Sequence, residues 1–497
     1  MPFALGIDLG TTSVKAVALD AGARAVATAS AGHDLDTPRP GWAEADPVAW
    51  WDNVVRVTRA IGERVPLVEV AVVGVSGMVP ALILLGADGQ VLRPSIQQND
   101  GRTGEELAVL AGRLDTEAFF AATGQPWSQQ LVPPRLLWLR RHEPDVYRRI
   151  RRVLGSYDYV AWRLTGASCL EQNWALEAGL WEATDRRWHQ PMLEGAEIPG
   201  DWLAPVRAPH EVIGGVTAAA AAATGLAPGT PLIAGSADHV AAALAAGAGP
   251  GELVLKIGGA GDVLYGLDRF APDPRLYIDY HDLPGAFLLN GCMATSGSLV
   301  KWLAAECARD LGAGGDVYAR LDAEAAGVPA GSDGLVVLPY FLGEKTPLLD
   351  PDARGVFFGL TLSHGRGHLH RAVLEAVAHG FRHHVEILEA AGHPIHAVRV
   401  MDGGARSPLW RQIIADVLGR DIAYAPGAEL GSAHGTAWLA GAAHGFWPWR
   451  DLPAPRDGLI THTPDPSASA RYQPLYAIYR NLYTHLREDF TALRHTI

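Results

Sequence analysis

Ile233-Ala-Gly-Ser-Ala-Asp-His239 carries an apolar run into small residues and then delivers one carboxylate, Asp238. The chain opens on a second stretch of the same kind, Leu5-Gly-Ile-Asp-Leu-Gly-Thr-Thr-Ser-Val-Lys15, in which a short apolar strand bears Asp8 and then meets Gly10 and three hydroxyl residues. Two strand-borne acids beside glycine turns point to phosphate chemistry. Glycine lets a backbone come close to a phosphate. The amides and hydroxyls of Thr11, Thr12 and Ser13 supply donors, and Lys15 adds a cation. Asp8 suits magnesium, held through waters because that ion dehydrates reluctantly. Taken singly, each stretch reads first as a strand and a tight turn whose Asp and Thr satisfy backbone groups.

A chain of 497 residues exceeds what one core usually serves, which predicts two domains. Hydrophobic residues at 48% and charged ones at 19% are those of an ordinary globular protein. The net charge of -13 argues against a nucleic-acid partner, which would want a basic stripe. Cys169, Cys292 and Cys307 are too few and too far apart for a disulfide framework or a zinc pattern, so a reducing cytoplasm fits. The amino terminus lacks the basic and apolar regions of a secretory signal. The longest low-charge stretch, Leu232 to Leu253, contains Asp238, His239, Glu252 and several glycines. It suits a buried strand and helix better than a membrane span.

Along the chain, Ala4 to Leu9, Val14 to Leu19 and Arg24 to Ser30 read as a meander, followed by a helix from Pro47 to Ile61 with Asp46 as its cap. Val68 to Ser76 is a strand apolar on both faces, Leu136 to Arg152 a basic helix, Val153-Leu154 a strand and Tyr157 to Leu164 a helix. Strands alternating with helices after a meander predict an α/β domain with a mixed sheet. The order then recurs: strands Glu252 to Ile257 and Asp262 to Gly266 around Gly258-Gly-Ala-Gly261, a strand near Phe287 to Asn290 and a helix Ser298 to Ala308. Later, Val398 to Met401 runs into Asp402-Gly-Gly-Ala-Arg-Ser407 and a helix Pro408 to Leu418. Two halves, 1–247 and 248–497, are expected, with the Ala-Gly-Ala-Gly-Pro-Gly run at 246–251 as a hinge between them.

Eight segments in order carry a family resemblance: Gly6-Ile-Asp-Leu-Gly-Thr-Thr12, Trp42 to Trp51, Asn99-Asp-Gly-Arg102, Leu136 to Pro144, Gly235-Ser-Ala-Asp238, Gly343-Glu-Lys-Thr-Pro347, Gly355-Val-Phe-Phe-Gly-Leu360 and Asp402-Gly-Gly-Ala-Arg-Ser407. The chain resembles the FGGY carbohydrate kinases over nearly its whole length, and within them the xylulokinase branch. That resemblance implies two ribonuclease-H-like domains of the actin, sugar kinase and chaperone ATPase superfamily, with mixed sheets flanked by helices and a cleft between them. It implies a small sugar bound mainly by the first domain and ATP with Mg2+ mainly by the second. Asp238 matches the catalytic base, with Asp8 and Asp238 as the carboxylates near the metal. Thr12 and Lys15 match phosphate-contacting positions, and Gly258, Gly259, Gly297, Gly404 and Ala405 match backbone positions around the nucleotide. Relatives of this kind form dimers, so a homodimer is a candidate assembly.

The departures bear on the substrate. Xylulokinases tend to show Gln-Met-His where this chain has Met78, Val79 and Pro80, and His239 replaces the amide residue usual after the base. Asp100 and Arg102 remain as polar candidates on a loop, the other reading of that pair being a surface ion pair. Gly259 stands where the family has threonine, losing a hydroxyl near the transferred phosphate. That leaves a catalytically degenerate sugar-binding regulator as one alternative to a ketose or polyol kinase, and an actin- or chaperone-type ATPase as another. His379 and His383 have helical spacing but lack the metalloprotease glutamate, which predicts a partly exposed helix face. Most of the tryptophans, among them Trp50, Trp51, Trp302, Trp410 and Trp438, follow helix packing and are expected in the core.

Overall fold

The protein is described by a computed structural model covering residues 2–39, 41–312, 316–427, 430–449, 458–494 and 496. It separates into two compact units: Met1–Gly247 with Leu267–Leu288 and Leu430–Ala454, and Ala248–Gly266 with Leu289–Glu429 and Pro455–Ile497. Two late segments, 267–288 and 430–454, thus cluster with the first unit rather than with their chain neighbours.

The first unit is built on a mixed sheet whose strands lie in the order Val212–Gly215, Pro231–Ile233, Val70–Gly77, Phe3–Leu9, Ser13–Leu19, Ala25–Gly32, with Ser236–Ala237 also pairing Val70–Gly77. The amino-terminal meander is antiparallel, while Phe3–Leu9, Pro231–Ile233 and Ser236–Ala237 run parallel to Val70–Gly77. Parallel strands are covered on both faces, and Val70–Gly77 accordingly carries one partly exposed residue among eight. The helix Pro47–Ile61 begins where its proline fits the first turn, and the Asp46 carboxylate accepts the Val48 amide at 2.8 Å.

A second helix, Gly431–His444, presses on the sheet through small residues. A Cβ on Gly6 would lie 2.2 Å from the Ala433 carbonyl, and one on Gly74 2.9 Å from the Thr436 carbonyl. On its other side Gly435 meets the helix Asp238–Ala245, where a Cβ would come to 1.9 Å from the Ala241 carbonyl. The core here joins Ala4, Val17, Leu19, Val72, Ile233 and Leu244 to Trp438 and Leu439.

The second unit repeats the plan. The second sheet runs in the order Tyr277–Tyr280, Phe287–Met293, Gly261–Leu267, Glu252–Ile257, Ala397–Met401, Ile422–Tyr424, Ile460–His462. Glu252–Ile257 is antiparallel to Gly261–Leu267 and parallel to Ala397–Met401. The helices Arg366–Ala390, Pro408–Leu418 and Pro466–Arg494 flank it.

Three expectations need correction. The basic helix spans Val132–His142 and stops before Pro144, which starts a separate helix, Pro144–Arg149. Proline disfavours helical geometry at the residue before it, and Glu143 sits outside the helix at φ -130°. His379 and His383 are buried rather than partly exposed, and the His379 ring packs among Tyr472, Tyr476 and Tyr479. Burial pushes the His379 imidazole down to about 3, so it stays neutral. Trp302, expected in the core, is 41% exposed and leans on Phe341.

The close approach of Gly435 makes a direct test of the packing. Gly435→Ala forces backbone apart and is expected to cost about 3 kcal/mol or more in urea unfolding, at the upper end of overpacking effects. Gly403→Ala, with open space around its Cβ, is the control and should stay close to the parent.

Candidate active site

Parallel pairing on both sides of Val70–Gly77 sets Asp8 opposite Ser76, and Ser236 opposite the same Ser76. At about 4.8 Å per strand, Asp8 and Ser236 lie about 10 Å apart across one row. Asp238 follows two residues beyond. Both acids therefore stand at the carboxyl ends of parallel strands, where open α/β sheets bind ligands. Asp8 is buried, and Ser76 Oγ donates to its Oδ1 at 2.9 Å. Gly235 makes the turn to Asp238 with φ +97°, and a Cβ there would sit 2.0 Å from the Val75 carbonyl. Asp238 opens its helix with a side chain 24% exposed, and its Oδ1 accepts the His239 amide at 2.7 Å.

The Gly10 amide donates to the Ser13 carbonyl at 2.9 Å, closing the turn that presents Thr11 and Thr12. Lys15 pairs across the hairpin with Asp8, which sets a cation beside an anion on one face.

In the second unit the residues expected around a nucleotide come together. The Gly258 carbonyl accepts from the Gly297 amide at 2.8 Å, and the Gly259 carbonyl accepts from the Ser296 and Ser298 amides at 2.8 and 3.1 Å. Ser298 Oγ also donates to Gly259 at 2.8 Å. A Cβ on Gly258 would meet Asp402 Oδ2 at 2.9 Å, and one on Gly404 would meet Ile257 Cγ2 at 2.3 Å. Ala405 is fully buried. Side chains are excluded from this cradle by geometry, which fits the close approach a nucleotide requires. Around Gly259, by contrast, a Cβ would find nothing within 4 Å.

Asp100 and Arg102 are no surface pair. Asp100 is buried and takes Arg102 Nε and Nη2 at 2.8 and 2.7 Å, together with the Ala43 amide at 2.7 Å. The guanidinium also reaches Glu44 at 2.7 Å and lies 3.7 Å from the centroid of the Trp42 ring. The alternation of charge with aromatics at Trp42, Arg102 and Trp138 leaves no local sequence signal for this stack. Beside it, Arg135 is wholly buried and donates to the Pro80 carbonyl at 2.6 Å. Burial lowers its guanidinium to about 10, with Asp100 opposing that fall. Met78 and Val79 are buried, and Met78 is pinned by its amide on Leu9 and by Ser156 Oγ on its carbonyl.

Sequence reasoning missed the layer behind Asp238. His239 Nε2 lies 2.8 Å from Asp279 Oδ2 and 3.7 Å from Glu177 Oε1. Among the described residues, these three form the group of His and acid side chains close enough to share a metal. Close by, Ser236 Oγ donates to Asp282 at 2.9 Å, and Tyr157 donates to Glu171 at 2.9 Å. Burial raises Asp158 and Asp282 to about 7, and lifts Glu171 and Glu177 well above the carboxylate range. His239 is pulled down by burial, but the charge of Asp279 and the bonds to Asp238 and Asp279 outweigh it and hold the imidazole well above its usual value. The signal in the sequence is an acid isolated in an apolar run, as Glu177 is between Trp174 and Leu180 and Asp279 between Leu276 and Tyr280.

The sequence matches the FGGY family of carbohydrate kinases, N-terminal domain, over residues 3–245 and the C-terminal domain over residues 272–444. The chain belongs to the FGGY family. This FGGY protein is 32% identical to the xylulose kinase of Escherichia coli (strain K12) over 495 residues, 97% of this chain and 99% of that one. It is 27% identical to the gluconokinase of Bacillus subtilis (strain 168) over 502 residues, covering 99% and 97%. The crystal structure of xylulose kinase from Rhodospirillum rubrum superposes with a TM-score of 0.86 at 46% identity, covering 98% of this chain and 100% of that one. The two-domain mixed-sheet fold is that of the FGGY sugar kinases, and the enzyme is a carbohydrate kinase, an ATP-using phosphotransferase with an alcohol acceptor. Among the described residues, no helix is long and apolar enough to cross a membrane.

The buried acids set a pH dependence. A carboxyl whose folded value is raised contributes stability that is complete below its unfolded value and is lost as pH rises through the folded one. For Asp282 the window runs from its ordinary value of 3.8 to about 7. Asp282→Asn removes that titration, so its thermal midpoint should fall less than the parent's between pH 4 and 7. Parallel curves for the two proteins would contradict the buried, protonated state.

Proposed function

We propose that the protein phosphorylates a hydroxyl of a ketopentose such as xylulose, or of a related ketose or polyol, with the first unit holding the sugar and the second the nucleotide. Asp238 is the general base. The observation that carries this reading is the row in which Asp8 and Asp238 leave the carboxyl ends of parallel strands flanking Ser76. Phosphoryl transfer needs positioning and charge neutralisation more than covalent chemistry. Asp238 takes the proton of the acceptor hydroxyl as that oxygen bonds to the γ-phosphorus of ATP and the bond from that phosphorus to the β,γ-bridging oxygen breaks, releasing ADP. Thr11, Thr12 and Lys15 contact phosphate oxygens, and the backbone of Gly258, Gly259, Gly297, Gly404 and Ala405 makes room for the nucleotide. The hard carboxylate oxygens of Asp8 and Asp238 suit Mg2+, which when bound neutralises phosphate charge.

The acceptor is read by what the site offers. Met78 and Pro80 stand where xylulokinases tend to carry glutamine and histidine, so two polar side chains are lost there, and Arg135 holds the Pro80 carbonyl. Lost polar partners weaken binding to sugars carrying a hydroxyl at that point. The relatives' names span a ketopentose and an aldonate, so both classes belong in the test.

Three measurements check this reading. ATP turnover with a panel of ketopentoses, polyols and gluconate should depend on the acceptor. Turnover without any sugar would favour a chaperone-type ATPase, and none with any sugar a silent regulator. In Asp238→Asn, turnover should drop at least about 100-fold, the scale of general-base catalysis, while sugar binding by calorimetry persists. Gly259→Thr restores the hydroxyl the family carries and has room for it, so it should fold normally and raise kcat. An unchanged or lower kcat in a folded variant would show that this hydroxyl is dispensable here.

A further inference from the structure

We infer that His239, braced from behind by Asp279 and Glu177, is the positioning residue that fixes the Asp238 carboxylate for catalysis. The inference rests on the reading of Asp238 as base. His239 Nδ1 lies 3.5 Å from Asp238 Oδ1, the same oxygen that accepts the His239 amide at 2.7 Å. The far side of the ring is held at Nε2, 2.8 Å from Asp279 Oδ2 and 3.7 Å from Glu177 Oε1. A carboxylate only accepts, so a ring set between Asp279 at Nε2 and Asp238 at Nδ1 carries a hydrogen on both nitrogens, and the Nδ1 hydrogen is turned toward Asp238.

The braces are themselves anchored. Glu177 Oε2 accepts from Gln130 Nε2 at 3.0 Å. The strand Tyr277–Tyr280, which bears Asp279, is clamped by Asn173, whose side chain donates to the Tyr280 carbonyl at 2.9 Å and accepts the Tyr280 amide at 2.8 Å. Gln125 Nε2 donates to the Ile278 carbonyl at 2.6 Å. Three separate elements thus close on one imidazole: the start of the helix Asp238–Ala245, the end of the helix Gln172–Glu177 and the strand Tyr277–Tyr280. A histidine filling core space would need only apolar neighbours. Two buried carboxylates at its back cost desolvation, which a ring serving only to pack would not require.

Both ring nitrogens are engaged, so His239 is a poor sugar ligand despite its place in the sequence. The residue acts through Asp238, by limiting the rotamers the carboxylate can adopt.

The test uses the full-length enzyme with the best acceptor of the panel. His239→Gln and Asp279→Asn should lower kcat about 10- to 100-fold, the range expected for a misplaced catalytic group, while the KM for sugar and for ATP stays within about threefold. Both variants are measured, so that a folding failure in one leaves the other to decide. A kcat within twofold of the parent in a folded variant overturns the inference, as would a stoichiometric metal in the purified protein that is lost in Asp279→Asn. Asp238→Asn is run beside them. If it alone is inactive, the positioning role fails and the base stands; if it retains turnover, the base reading fails first.

Discussion

Ser236, Ser76 and Asp8 lie abreast on three parallel strands, and the placement of both acids follows from that register. A slip of one residue in either pairing would turn Asp8 or Ser236 to the opposite face, because side chains alternate along a strand. Register is held by what cannot fit elsewhere. Gly235 leaves no room for a Cβ against Val75, and a Cβ on Gly77 would come to 2.7 Å from Ser156 Oγ. The row is thus fixed by steric exclusion at its ends and by burial of Val72, Val73 and Val75 along its length.

Spatial order departs from chain order for a related reason. The helix Gly431–His444 belongs to the first unit because its alanines and glycines match the gaps at Gly6 and Gly74, and its far face matches the helix that Asp238 begins. Asp238 therefore sits at the start of a helix clamped through Gly435 to another, which in turn lies on the strand of Asp8. Movement of Asp238 relative to Asp8 would have to disturb backbone packed at van der Waals limits.

Much of this was legible in the sequence where the signal is local. The helix Pro47–Ile61 has the bounds its capping aspartate and proline imply, and the two hairpins around glycine turns stand where apolar runs break. The family segments led correctly to a two-domain FGGY kinase fold. Features that depend on distant partners were not legible. Arg102 reads as a loop charge until Trp42 and Trp138 close over it, and His379 as a helix-face residue until three tyrosines of the carboxyl-terminal helix surround it. Glu177 and Asp279 are about a hundred residues apart, and neither stretch hints that the other is near.

The two units build their candidate sites by opposite means. In the second, side chains are withdrawn: Gly258, Gly297 and Gly404 cross at distances that admit only backbone, and carbonyls are satisfied by the first amides of the helix Gly297–Cys307. Such a surface carries little charge of its own and holds its shape through hydrogen bonds. In the first, charge is concentrated: Asp8, Glu171, Glu177, Asp279 and Asp282 are all buried, and several are driven toward the protonated form. Burying acids in this number works against stability unless each finds a donor. The donors are present as Ser76, Ser236, Tyr157, Gln130 and His239. Stability is thereby spent where the first unit buries carboxylates in fixed orientations, and conserved where the second leaves only room beside its glycines.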